Sequence, residues 1–118
     1  MTNEFQYTIE WTIKPGKLDA FKELANTAVK LVQDNEPEMK GYQWYFNDDE
    51  SKCYTSEWQS SSESFLAHLQ NVSDVLPELL GCSDITRFEV LGNPNPQALE
   101  VLSSLGAQVF GYFNGFTR

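Results

Sequence analysis

The chain holds a single histidine, His68, in the stretch CYTSEWQSSSESFLAHL, Cys53–Leu69, together with Tyr54, Glu57 and Trp58. An imidazole titrates near neutrality, so His68 is the natural proton acceptor of the sequence. A tryptophan offers a flat apolar wall against which an aromatic ring can stack, which makes Trp58 a candidate for ligand contact. Tyr54 can donate to a ligand oxygen, and Glu57 suits an interior or interface position paired with a hydroxyl or a cation. The competing readings are structural: His68 as a hydrogen-bonder at a helix edge, Trp58 as core, Tyr54 as filler.

These residues need a strand, a cap and a helix to position them. Cys53 to Trp58 reads as a strand with Tyr54, Ser56 and Trp58 on one face and Cys53, Thr55 and Glu57 on the other. Ser60 to Glu63 fits a capping box. The helix that follows carries Phe65, Leu66, Leu69 and Val72 as an apolar stripe with His68 at its edge. Upstream, Phe5, Tyr7, Ile9, Trp11 and Ile13 alternate with polar residues, the clearest strand in the chain. Pro15-Gly16 ends it, and Leu18, Phe21, Leu24, Ala25, Ala28, Leu31 and Val32 predict an amphipathic helix that Pro37 cannot continue. Gly41–Phe46 reads as a strand joined by a polar hairpin, Asn47–Ser51, to the Cys53 strand. A short helical piece from about Asp74 to Gly81 precedes a weakly alternating strand, Asp84–Leu91, with Ile85, Arg87, Glu89 and Leu91 opposed to Thr86, Phe88 and Val90.

The order strand, helix, strand, strand, helix, strand is that of an α+β, ferredoxin-like βαββαβ sandwich over residues 1–92. Helices then cover one face only, and a second copy covering the other predicts a homodimer. Residues 93–118 add a loop, a short helix with Ala98, Leu102 and Leu105, and an aromatic tail from Val109 to Phe116, expected to pack on the same domain or on its partner.

Composition narrows the function classes. At 118 residues and 41% hydrophobic the chain is one globular domain. Eight Lys and Arg against 17 Asp and Glu give a net charge of −9, which disfavours nucleic acid and anionic membranes as partners. No leader pattern or spanning apolar run is present, so the cytoplasm is the expected location. Cys53 and Cys82 are not spaced as a metal clip, and one histidine does not complete a zinc set. The acidic run Asp48-Asp49-Glu50 reads as a solvated hairpin tip. Nucleotide-loop and hydrolase fingerprints are absent from the sequence.

A strand ending in Lys14-Pro15-Gly16-Lys17, a helix carrying Phe21, then Glu57-Trp58, a serine-rich cap, Phe65 and Ala67-His68-Leu69 together resemble the antibiotic biosynthesis monooxygenase family, most closely its quinol-monooxygenase-like members. The resemblance covers about residues 5 to 91. It implies a dimeric α/β barrel with a pocket between sheet and helices in each subunit, and in some members oxygenation of phenols or quinols without a cofactor. Trp58 matches the tryptophan that lines the pocket of anthrone-oxidising members; Tyr54 stands where they carry asparagine and Ser64 where they carry tyrosine. In the haem-degrading branch a tryptophan occupies the place of His68 and an asparagine that of Ile9. The expected function is a cofactor-independent monooxygenase acting on a small aromatic ligand. The alternative is a non-catalytic binding or stress-related module of the same fold, with haem binding a weaker third. A pocket shared by Trp58, Tyr54 and His68 favours the first, and one filled by the protein's own rings favours the second.

Overall fold

The structure is a computed structural model and describes residues 3–118. Its elements are β1 (Phe5–Ile13), α1 (Leu18–Asn35), β2 (Gly41–Phe46), β3 (Lys52–Gln59), α2 (Ser62–Asn71), α3 (Leu76–Cys82), β4 (Ser83–Leu91), α4 (Pro96–Ser104) and β5 (Gln108–Phe110). The first four strands form the antiparallel order β2-β3-β1-β4, and β5 adds to β4 in parallel at the edge. This is the split βαβ arrangement of a ferredoxin-like sandwich. Among the described residues no helix is long and apolar enough to cross a membrane.

Alternation on β1 decides which face the helices cover. Phe5, Tyr7, Ile9 and Trp11 are all buried, and they meet helix residues in edge-on ring contacts: Phe5 and Tyr7 with Phe65 of α2, Trp11 with Phe21 of α1. Such pairs add about 0.5–1.5 kcal/mol each beyond area burial. From α1 come Phe21, Ala25, Ala28 and Val32, a stripe at helical spacing in which the small alanines let the helix approach the sheet.

The weak alternation of β4 has a physical cause. Between Glu10 and Trp11 the register shifts, so that Glu10 pairs with Arg87 but Trp11 with Ile85. The bulge leaves Thr86 extra and turns Ile85 to the helix side with Phe88 and Val90, correcting the sequence reading that set Ile85 with Arg87, Glu89 and Leu91. The helix cap also shifts by one residue. Ser61 Oγ accepts from Ser64 N at 3.0 Å while Ser61 N donates to Ser64 Oγ at 3.2 Å, in place of Ser60 and Glu63. Three consecutive serines offer several cap registers, and Ser64 Oγ, which also bonds Gln59 Oε1 at 2.9 Å, selects this one. The short helix α3 runs one residue past Gly81 and begins after Asp74, with Pro77 in its first turn, where a missing N–H costs nothing.

The sheet's other face is bare. Cross-strand pairing sets four rows on it: Lys52, Thr12 and Asp84; Tyr45, Tyr54, Glu10 and Arg87; Gln43, Ser56, Thr8, Glu89 and Gln108; and Trp58, Gln6, Leu91 and Phe110. Glu10 is held there by Lys52 at 3.3 Å and Thr86 at 2.7 Å.

The C-terminal segment attaches at two points. Asn95 caps α4 through Ala98 N and donates its own N–H to Ser62 Oγ, and Ala98 and Leu102 are fully buried. Where the chain leaves β4, Gly92 has φ 133° and a side chain there would strike Phe5 Cβ at 2.8 Å, so only glycine fits. Beyond β5 the rings of Tyr112, Phe113 and Phe116 stay exposed.

Candidate functional site

Strand β3 turns an unusual set of side chains inward: Cys53, Thr55, Glu57 and Gln59, all buried. Each polar group among them has a partner, as burial demands. Trp11 Nε1 donates to Thr55 Oγ1 at 3.2 Å, and Gln59 Nε2 donates to the Tyr7 hydroxyl at 3.1 Å. Glu57 is met by His68, whose Nε2 lies 3.3 Å from Oε1. On the other side of the ring, Nδ1 lies 3.0 Å from both oxygens of Glu36, just beyond the C-terminus of α1. Asn71 fixes Glu36 in turn, donating to Oε2 at 2.7 Å and to the Leu31 carbonyl at 3.0 Å.

His68 is thus a buried imidazole clasped by two carboxylates, with side chains 5% (His68), 8% (Glu36) and 5% (Glu57) exposed. Burial alone disfavours the charged ring, but hydrogen bonds and attraction from Glu36 and Glu57 outweigh it and raise the pKa to about 9. At neutral pH both ring nitrogens therefore carry protons and both donate. This changes the role read from the sequence. A proton acceptor inside this site is a carboxylate, Glu57, while His68 supplies the positive charge beside it and aims it.

Glu57 and His68 border a cavity of about 50 Å³ between the sheet and the helices, whose walls include Tyr7, Tyr42, Trp44 and Phe88. The edge of the His68 ring meets Tyr42 at 5.4 Å between centroids. Burial, followed by the nearby Glu57 charge, pushes the hydroxyls of Tyr7 and Tyr42 well above the usual phenol range, so both remain O–H donors. A volume of 50 Å³ holds a few waters, whereas a cavity of about 150 Å³ is known to admit benzene. An aromatic ring enters only as the walls part.

Of the three residues read as site candidates, His68, Trp58 and Tyr54, only His68 reaches this cavity, and Glu57, read as an interior or interface residue, borders it as well. Trp58 and Tyr54 lie on the helix-free face, because they alternate with the inward Thr55 and Glu57 along β3. The half-buried Trp58 donates through Nε1 to Glu4 Oε1 at 3.0 Å and lies beneath the Lys40 ammonium, 5.6 Å from the ring centroid. Tyr54 is 39% exposed. The expected pocket shared by Trp58, Tyr54 and His68 does not form within one chain. Tyr7, Tyr42 and Trp44 take its place, each legible as the inward member of an alternating strand. Glu36 carried no periodic signal, since it lies between a helix end and Pro37. Cys53 and Cys82 are buried free thiols, and burial pushes Cys53 up to about 12, so it packs as a neutral side chain.

With this geometry in place, likeness to other proteins can be weighed. The sequence profile of the family described as Antibiotic biosynthesis monooxygenase matches residues 7–73, a span that contains Glu36, Tyr42, Trp44, Glu57 and His68. No curated protein matches the chain. Among solved structures, MupZ from Pseudomonas fluorescens is similar with a TM-score of 0.82 at 22% identity, covering 98% of this chain and 95% of its own. That coverage takes in most of the C-terminal segment. A Caulobacter crescentus protein provisionally described as an antibiotic biosynthesis monooxygenase is similar at a TM-score of 0.69 and 15% identity, over 80% of this chain and 92% of its own. Rv0793 from Mycobacterium tuberculosis is similar at 0.65 and 14%, over 78% and 96%. At these identities the likenesses establish the fold.

Proposed function

The chain belongs to the antibiotic biosynthesis monooxygenase family, and on that premise we propose that it is a cofactor-independent monooxygenase acting on a small phenol or quinol. The observation that carries the reading is the Glu36–His68–Glu57 array at the wall of an apolar, aromatic cavity. Such an array handles one proton in a place from which bulk water is largely excluded. In the proposed reaction Glu57 takes the proton of the substrate hydroxyl, and the His68 imidazolium offsets the negative charge that forms. The phenolate passes an electron to dioxygen, and the resulting radical pair joins through a carbon–oxygen bond. Loss of water from the adduct leaves a quinone, so a phenol and O2 yield a quinone and H2O with no outside reductant. The protein's tasks are to hold the ring, accept the proton and keep water away.

A second reading, a small-molecule-binding module without turnover, is favoured by the small volume of the cavity and by walls made of the protein's own rings, Tyr7, Tyr42 and Trp44. Oxygen consumption against a panel of single-ring phenols and quinols separates the two. The monooxygenase reading expects one O2 consumed per quinol, with one labelled oxygen atom from ¹⁸O2 in the product and the rate sharply reduced in Glu57→Gln. Ligand binding with no oxygen uptake on any member of the panel would make the binding module the better reading.

The helix-free face is proposed to be covered by a second copy of the chain. Its rows carry Tyr45, Tyr54, Trp58, Leu91 and Phe110 alongside paired charges, more patterned surface than a monomer usually leaves open. A symmetric pairing through this face would bring Trp58 and Tyr54 into an interface, away from the cavity. Light scattering at micromolar concentration should give twice the 13.5 kDa chain mass; a mass near one chain would refute the pairing.

A further inference from the structure

Part of the cavity wall belongs to the C-terminal segment. The family profile ends at residue 73, whereas Leu105, just past the end of α4, lines the same cavity as Glu57 and His68. Spacing accounts for its direction: Ala98, Leu102 and Leu105 fall four and three positions apart on one helix face, and the first two are fully buried. The chain is fixed on the far side of Leu105 as well. Gly106 N donates to the Ser103 carbonyl at 3.0 Å and Ala107 N to the Leu102 carbonyl at 3.0 Å, the paired bonds of a Schellman cap, with Gly106 at φ 85° in the left-handed region that such a cap uses. Leu105 is half-buried and packs against the core, so it stands between the cavity and solvent. Other wall residues carry more than volume: Tyr7 bonds Gln59, His68 joins Glu57, and Tyr42 and Trp44 pack edge to face. A leucine side chain holds no hydrogen bond and no charge, so its bulk can change while the polar site stays as it is.

From this placement we propose that Leu105 is a specificity-determining residue: its side chain closes the solvent side of the cavity and restricts the ligand to one ring, and a shorter side chain there admits two fused rings. The inference rests on the reading of the cavity as a substrate site and adds to it the residue that sets the size limit. At about 50 Å³ the cavity is well short of the volume, about 150 Å³, that admits benzene, so each methyl group on its wall decides what fits. Space left by a large-to-small change persists in part, because the surroundings relax only partially. In an apolar pocket one methylene is worth about 10- to 200-fold in discrimination, and the change from leucine to alanine removes more than one. Asn95, bonded to Ser62 Oγ through its backbone N–H at 2.9 Å, and the buried Ala98 and Leu102 keep α4 seated when Leu105 is trimmed.

The test compares phenol with 2-naphthol, which share a single hydroxyl and differ in the second ring, by anaerobic calorimetric titration against wild type, Leu105→Ala, Leu105→Val and Leu105→Met. The affinity ratio of 2-naphthol to phenol should rise at least about tenfold in Leu105→Ala relative to wild type. Leu105→Val, which trims less, should give a smaller rise in the same direction and keeps the test decisive if Leu105→Ala loosens α4. Leu105→Met, close to leucine in volume, should keep the wild-type ratio. An unchanged ratio in both trimmed variants, or an equal rise in Leu105→Met, would overturn the role of Leu105, while phenol binding by wild type leaves the substrate site standing. Binding of neither probe by wild type or any variant would remove the substrate-site reading and the size limit with it.

Discussion

His68→Ala should lower the folding free energy at pH 7 by about 3–5 kcal/mol, the usual cost of removing one partner from a buried ionic cluster. Two carboxylates, Glu36 and Glu57, would then remain with side chains no more than 8% exposed and without the ring that joins them. For a chain of this size the melting temperature should fall by on the order of 10–20 °C. The loss should shrink as pH falls, because protonation removes the unbalanced charges. A second replacement identifies the source: Glu57→Gln added to His68→Ala should recover part of the loss, whereas independent sites would simply add. Thermal melts at pH 5 and 7 measure both effects. If the single variant melts within two degrees of wild type at pH 7, the ring does not bridge the carboxylates. Where the variant remains folded, turnover of a phenol should fall far more than binding, because the lost charge acts on proton transfer and not on the walls.

How much of this site was legible in the sequence depends on which residue is asked about. Period-two alternation on β1 gave the inward face correctly, and the same rule applied to β3 already set Glu57 against Trp58. Grouping Trp58 with His68 contradicted that rule. A helix packed on a sheet reaches only the inward residues, so the histidine's partner on β3 had to come from the set that holds Glu57. Glu36 was not legible, because a loop residue after a helix has no period to mark it and its contact with His68 spans 32 positions. Ile85 was misplaced because a one-residue bulge inverts the faces of a strand without leaving a distinctive residue type behind. The overall order of elements, by contrast, followed from patterns strong enough to survive shifts of one or two residues at their ends.

The buried histidine also fixes how the wild-type fold should respond to base. His68 has an ordinary unfolded-state pKa of about 6.5 and a folded one raised to about 9, so the folded state binds the extra proton. Stability from this group is complete below about pH 6.5 and lost as pH rises through 9, with a total on the order of 3 kcal/mol. The groups that face the ring are Glu36 after α1, Glu57 on β3 and the Tyr42 ring on β2. A second alkaline fall has a different origin. Cys53, raised by burial to about 12, and the buried phenols Tyr7 and Tyr42, raised by burial and then by Glu57, must all lose protons on unfolding, so they penalise the fold only above about pH 9. Denaturant midpoints taken every half unit from pH 6 to 10.5 should therefore show two descents. In His68→Gln, which cannot carry the charge, the first should flatten and the second persist. An equal slope between pH 6.5 and 9 in wild type and variant would mean that His68 is not held as an imidazolium, and the proton-handling role given to the Glu36–His68–Glu57 array would fall with it.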